Sequence, residues 1–277
     1  MAIENKEEKL RNFALSCFND KENKADLENL LYKLGLSAHQ VVQSYVDYDL
    51  DIFAYSNEIY DPLAMRMVMH IHNLLHGSWH IDRQNAIYNF VNLVKPSSIM
   101  DVGFGIPSLY VRKILSDNDD VHVTLSDFSD SAMKFASLLL DSWNPHWNSK
   151  VNLVLEDMSE TSLHPPKSDI YLFQDSVEHV PNPTLCLTNF VKNSHPEAKF
   201  LLSLPIGPIV PMHYIAWDSD VAAQRWLQEC GLDVIEQRKI YVNPEVDLFA
   251  EQLDFHCTNI VVLCQKSGML PVPFIAE

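Results

Sequence analysis

Glycine is scarce in this chain, with 7 residues in 277 where ordinary usage near 7 % would supply roughly 19. A sequence so sparing with glycine places it where backbone without a Cβ is needed, in a tight turn or against a ligand. Basic residues are also few: 20 Lys and Arg stand against 37 Asp and Glu, giving a formal charge of −17. They form no basic run, and that lack excludes polyanionic partners, because nucleic-acid binders need a basic footprint to displace counterions. Nothing approaches the roughly 18 consecutive apolar residues of a membrane span. The 5 cysteines (Cys17, Cys186, Cys230, Cys257 and Cys264) contain no Cys-x-x-Cys pair, and their odd number predicts reduced, mostly buried thiols rather than a disulfide framework. The segment Met1 to Glu8 is polar and charged, with no apolar signal core, which predicts a cytoplasmic protein. A small molecule, with neither nucleic acid nor membrane, is the expected partner, and a homodimer is compatible with the composition.

What is present divides by pattern near residue 96. Before it the periodicity is helical. Glu7 to Phe18 carries apolar positions at helical spacing, and Leu27, Leu30, Leu31 and Leu34 line one face of a helix ending at Gly35. Helices are further expected over Ala38 to Tyr45, from Pro62 to about His76, and over Ile81 to Val94. After it, strands and helices alternate. Strands are expected at Ile99–Val102, His122–Leu125, Val151–Leu155, Ile170–Phe173, Phe200–Leu204, Val234–Val242 and Asn259–Cys264. Helices are expected between them over 108–115, 129–143, 183–193 and 222–230. Such alternation predicts an α/β fold with a mainly parallel sheet covered on both faces, carrying an N-terminal helical cap over residues 1–95 and a second unit over 96–277.

Two of the scarce glycines, Gly103 and Gly105, directly follow the strand Ile99-Met100-Asp101-Val102. In open parallel sheets ligands bind at the carboxyl ends of the strands, and a loop of bare backbone leading into a helix N-terminus favours carboxylate or phosphate. Asp127 follows the second strand, where a carboxylate can accept from both ribose hydroxyls. Asp157 follows the third, where it can accept from an adenine amino group, with the Met158 N–H offered to the ring. A nicotinamide dinucleotide is the competing ligand for a Gly-x-Gly loop, but the pattern lacks the third glycine of the dinucleotide fingerprint.

At these residues the chain resembles the class I S-adenosylmethionine (SAM) dependent methyltransferases. The likeness runs through Ile99 to Gly105, Leu125 to Ser129, Leu155 to Met158 and Asp169 to Val180, and returns at Trp226 to Val234. It implies a Rossmann-like sheet of seven strands, mostly parallel, closed by an antiparallel hairpin, with SAM as cofactor. By that resemblance Asp101 orients the glycine loop, and Gly103-Phe104-Gly105 admits the methionyl part of SAM. Asp127 binds ribose, Phe128 packs on adenine, Asp157 and Met158 hold the adenine edge, and Gln174 and Ser176 line the methionyl end.

Methyl transfer from a sulfonium requires a desolvated, aligned nucleophile and often a base. Aromatic faces also attract the cation. Tyr45, Tyr48, Phe53, Tyr55 and Tyr60 cluster before the helix opening at Pro62, and Tyr55 and Tyr60 are the candidates for lining the pocket because they fall in a loop. His72, His76 and His80 recur at four-residue spacing beside His70, but Gly77 interrupts the helix and no acidic or thiol ligand lies nearby. No metal is therefore expected there, and His76 is kept as a candidate base. His179, and His213 with Tyr214, fall in loops after the fourth and fifth strands and are candidates for a base or substrate contact. The expected activity is methyl transfer to a small molecule under the helical cap. A SAM cyclase or lyase releasing methylthioadenosine and a non-catalytic SAM-binding subunit are the alternatives.

Overall fold

The structure, a computed structural model, describes residues 7–8, 11–12, 15, 18–19, 24–50, 62–74, 79–117, 120–159, 165–207, 209, 213–241 and 258–268. The described residues among 7–19 are helical, and four helices with defined bounds follow: α1 (Lys24–Leu34), α2 (Ala38–Leu50), α3 (Pro62–Leu74) and α4 (Trp79–Val94). Strands and helices then alternate as β1 (Ser98–Val102), α5 (Leu109–Asp117), β2 (His122–Asp127), α6 (Asp130–Trp143), β3 (Val151–Leu155), β4 (Ile170–Gln174), α7 (Pro183–Asn193) and β5 (Lys199–Ile206). Helix α8 (Asp220–Glu229) precedes the final pair β6 (Leu232–Tyr241) and β7 (Thr258–Lys266). Helix α2 continues past the expected end at Tyr45 because no glycine or proline interrupts Ala38–Leu50. Among the described residues no helix is long and apolar enough to cross a membrane.

The seven strands form one sheet in the order β3-β2-β1-β4-β5-β7-β6. The first five are parallel, and β7 runs antiparallel between β5 and β6. The α/β class, the mostly parallel Rossmann-like sheet and the closing hairpin thus stand as the sequence implies. Strand β4 is buried along its whole length, as its continuous apolar run Ile170-Tyr171-Leu172-Phe173 demands of a central parallel strand. The order reverses between β1 and β4, so the crevice of this sheet opens at their carboxyl ends.

Alternate residues of the strands feed separate cores. On one face Tyr171, Phe173 and Phe200 pack with Phe190 of α7 and Trp226 of α8. On the other, Ile99, Leu125 and Leu172 pack with Ile87 and Phe90 of α4, Val111 of α5 and Ala136 of α6. Helix α4, which the sequence pattern groups with the cap, therefore packs as part of the sheet layer. A third core joins Leu27, Leu30, Val41, Met67 and Ile71 of α1–α3 to Phe135 and Leu139 of α6 and to Ile106. Helix α6 is thus apolar on two sides, with Ala132, Ala136 and Leu140 toward the sheet and Phe135 and Leu139 toward the N-terminal helices.

His70 of α3 is buried in this outer layer, edge-on to Phe135 with ring centroids 6.0 Å apart. Burial, with Arg112 adding repulsion, pushes its pKa down from 6.5 to about 4. As the pH falls from 6.5 toward 4, the unfolded chain takes this proton before the folded one, so the folded state loses stability across that window. Chemical denaturation at pH 7.5 and pH 4.5 should show wild type losing stability on acidification relative to His70→Leu. The relative loss should approach about 3 kcal/mol. Equal losses in the two proteins would show that His70 does not titrate as a buried neutral ring.

Candidate active site at the carboxyl edge of the sheet

The loop after β1 turns on two glycines in the left-handed region, Gly103 at φ 68° and Gly105 at φ 61°. A Cβ on Gly103 would lie 2.3 Å from Met158 Cε and 2.9 Å from Ser176 Cβ. Glycine is required there because the loops after β3 and β4 close directly on the backbone after β1. A Cβ on Gly105 would lie 3.3 Å from both Arg66 Nη1 and Met69 Cε, so α3 of the outer layer reaches over the loop. The side chain of the intervening Phe104 is buried in the core beside α4 and α5.

Asp127 is 5 % exposed, and each of its carboxylate oxygens accepts a backbone N–H: Gly105 N–H to Oδ2 and Ser129 N–H to Oδ1, both at 2.9 Å. The carboxylate at the end of β2 therefore orders the glycine loop and the start of α6 together. Phe128, next in sequence, is 68 % exposed. Asp157, past β3, is exposed and its Oδ1 accepts the Ser159 N–H at 2.8 Å. Half-buried Met158 accepts through its carbonyl from the Cys186 thiol while its side chain lies against Gly103.

Beneath the loop, Asp101 is fully buried. Its Oδ2 accepts from the Tyr110 hydroxyl at 3.0 Å and from Gln174 Nε2 at 2.7 Å, while Oδ1 has no partner among the described residues. Burial pushes this carboxyl up to about 7, against the pull of its two donors. Gln174 also accepts from Ser108 Oγ at 2.9 Å, and Ser176 Oγ donates to the Val102 carbonyl at 2.8 Å. Both residues, expected at the methionyl end, are engaged in tying β4 to β1 and α5.

The next residue along, Asp175, adopts a left-handed φ of 45°. Its Oδ1 accepts from Ser203 Oγ and Asn259 Nδ2, each at 2.7 Å, and its Oδ2 pairs with the Arg83 guanidinium of α4. Arg83 also lies over the Trp79 ring, 4.9 Å from its centroid. Past β4, the ligand atoms of Glu178, His179 and His213 lie within 4.8 Å of one another. The two imidazoles meet edge to face at 4.6 Å, and burial with the neighbouring His179 pushes His213 down to about 4.

The structure thus gathers Asp101, Gly103, Gly105, Asp127, Met158, Gln174 and Ser176 around the glycine loop, and brings His179 and His213 together. Tyr55, Tyr60 and His76 lie outside the described residues, as does Phe53. Tyr45 and Tyr48 fall on the backbone of α2, and His72 on that of α3. Sequence reasoning missed Arg66, Arg83, Asp175 and Glu178. Only Asp175 carried a signal, as the acidic residue after an all-apolar strand.

No protein-family model matches the chain, and no curated protein matches it in sequence. Solved structures do match. The O-methyltransferase of a trans-AT polyketide synthase from Brevibacillus brevis, solved with S-adenosyl-L-homocysteine, superposes with a TM-score of 0.52 at 15% identity over 80% of each chain. Mitomycin 7-O-methyltransferase MmcR gives 0.53 at 14% identity over 87% of this chain and 67% of its own. The (4+2)-cyclase SpnF gives 0.53 at 11% identity over 69% of this chain and 83% of its own.

Gly103→Ala places a methyl group against Ser176 and Met158 at a backbone angle that L-residues avoid. It should cost about 2–3 kcal/mol of folding stability. Adding Met158→Ala should recover part of that loss, because it removes the closer of the two contacts. Strictly additive losses in urea denaturation would contradict the packing described.

Proposed function

We propose that this chain, which has the fold of the class I SAM-dependent methyltransferases, transfers a methyl group from SAM to a small-molecule acceptor. The observation that carries the reading is Asp127, a buried carboxylate at the end of β2 that holds the Gly105 N–H beside an exposed aromatic side chain. A carboxylate in that place suits a ribose diol, since each oxygen retains acceptor capacity after taking one N–H. The residues present therefore fit SAM. They would hold it through Asp127 at the ribose, Phe128 on the adenine face, Asp157 at the adenine amino group, and the Gly103-Phe104-Gly105 backbone at the methionyl end. Arg66, reaching over Gly105 from α3, places positive charge where the methionyl carboxylate would lie.

When bound, SAM supplies an electrophilic methyl group on a sulfonium. The chain's own part is to align an acceptor, exclude water and take a proton. His213, held in its neutral form well below the ordinary histidine range, and its neighbour His179 are the residues we assign to proton removal. Tyr55, Tyr60 and His76 are assigned to the acceptor side of the pocket, under a cap formed by the part of residues 1–95 that precedes α4. Support for this comes from α3, whose Arg66 and Met69 already cover the glycine loop. Two of the matched structures are named methyltransferases, and one was solved with S-adenosyl-L-homocysteine, the demethylated product of SAM. The soluble, cytoplasmic setting follows from the sequence reading alone and remains part of the proposal.

Incubating the purified protein with SAM, first alone and then with a cell extract, and weighing the nucleoside products tests the reaction. S-adenosylhomocysteine that forms only with extract is the expected result. Methylthioadenosine formed from SAM alone would replace methyl transfer with the cyclase or lyase reading, and tight SAM binding without product would indicate a regulatory subunit. Separately, Asp127→Ala should weaken SAM binding at least tenfold by calorimetry, since hydrogen bonds to a charged group contribute about 1.5–3 kcal/mol each. An unchanged dissociation constant in a folded variant would refute the ribose role.

A further inference from the structure

Glu178 is the middle residue of the short 3-10 turn Val177–His179 that follows β4. It is wholly buried, and neither carboxylate oxygen has a hydrogen-bond partner among the described residues. A buried carboxylate is ordinarily satisfied by donors, by a countercharge or by a metal ion. The backbone at Glu178 itself and the Arg83 charge only partly offset the effect of burial on this carboxyl, and the Arg83 guanidinium is paired with Asp175. Around Glu178 the structure places two imidazoles: one ligand atom from each of Glu178, His179 and His213 lies within 4.8 Å of the others. The segment bearing His213 is fastened there by the Tyr214 N–H, which donates to the Glu178 carbonyl at 2.7 Å.

We propose that Glu178, His179 and His213 form a binding site for a divalent transition metal of the zinc type, with its fourth position open to an oxygen or nitrogen donor. Two imidazoles and one carboxylate are the donor set of open, reactive zinc sites. A tetrahedral ion holds such ligands at about 2.0–2.2 Å, which puts their donor atoms roughly 3.4 Å apart. From separations within 4.8 Å the three atoms need to draw together by at most about 1.4 Å, and the rings that would turn to do so are the exposed His179 and the half-buried His213. The ion supplies the positive charge that the unpartnered Glu178 carboxylate lacks. If the chain acts on a small acceptor as proposed above, that acceptor's hydroxyl or amine takes the fourth position, and in the metal-loaded chain the ion's charge, rather than His179 or His213 as a base, would ease loss of its proton. This last assignment rests on the methyl-transfer reading, whereas the metal site does not.

The test is calorimetric titration of the EDTA-stripped full chain with Zn²⁺, repeated with Co²⁺ while following its visible absorption. One equivalent of Zn²⁺ should bind, and four- or five-coordinate Co²⁺ should show strong visible bands. Glu178→Gln, His179→Ala and His213→Ala should each weaken binding at least tenfold, while His80→Ala leaves it unchanged. His179 is exposed, so its variant separates loss of a ligand from loss of the fold, and thermal melts check the other two. Absence of stoichiometric binding to folded wild type overturns the proposal. So does binding that survives His179→Ala and His213→Ala, or that is lost with His80→Ala instead. SAM affinity, measured on the stripped chain, reports on the methyl-transfer reading independently.

Discussion

A carboxyl group buried at the centre of a parallel sheet has to draw its partners from the elements around it, and Asp101 is that group here. Its donors are Tyr110, the second residue of α5, and Gln174, the last residue of β4. Gln174 in turn accepts from Ser108, at the threshold of α5. Strand β1, the helix after the glycine loop and strand β4 are thereby one unit, and the loop between them is held at both ends. Above it the Asp127 carboxylate fixes the loop's own amide, so the two aspartates clamp Gly103-Phe104-Gly105 from below and from the side. The closeness of Met158 and Ser176 to Gly103 is what such clamping entails, since no side chain at position 103 could be accommodated, whereas Phe104 turns its ring into the core.

The edge of the sheet shows a consistent electrostatic pattern. The chain carries a formal charge of −17, yet burial drives the interior groups at this edge toward their neutral forms. Asp101 and Glu178 are pushed up, and His213 is pushed down. The charges that remain are paired or fastened to backbone, as in Arg83 with Asp175 and Asp127 with two amides.

Nearly every strand and helix of the sheet was legible from periodicity, because apolar runs of four to six residues alternating with amphipathic segments admit little else. Gly103, Gly105, Asp127 and Asp157 were legible because each sits at a strand end, where the chain's few glycines and its carboxylates stand out. The Arg83–Asp175 pair was not, since its members lie 92 residues apart and neither belongs to a local pattern. Glu178 was passed over for a related reason: a glutamate between a valine and a histidine reads as a surface charge, and only the tertiary packing of β4 against the segment bearing His213 buries it. The reach of α3 over Gly105 depends on how the outer helices dock on α6, which periodicity within α3 does not specify.

The two-sided burial of α6 bears on the order in which the molecule is assembled. Helices α1 and α3 leave the ribosome well before the helix whose Phe135 and Leu139 cover their apolar faces. Roughly 100 residues separate α1 from α6, so at ~5–20 residues per second the stripe Leu27, Leu30, Leu31 and Leu34 waits on the order of 5–20 s for its partner. Helix α6 meanwhile has a nearer claim on its other side, the strands β1 and β2 that precede it and need only local closure. On this ordering the sheet is expected to act as the template on which the N-terminal helices, though made first, dock last.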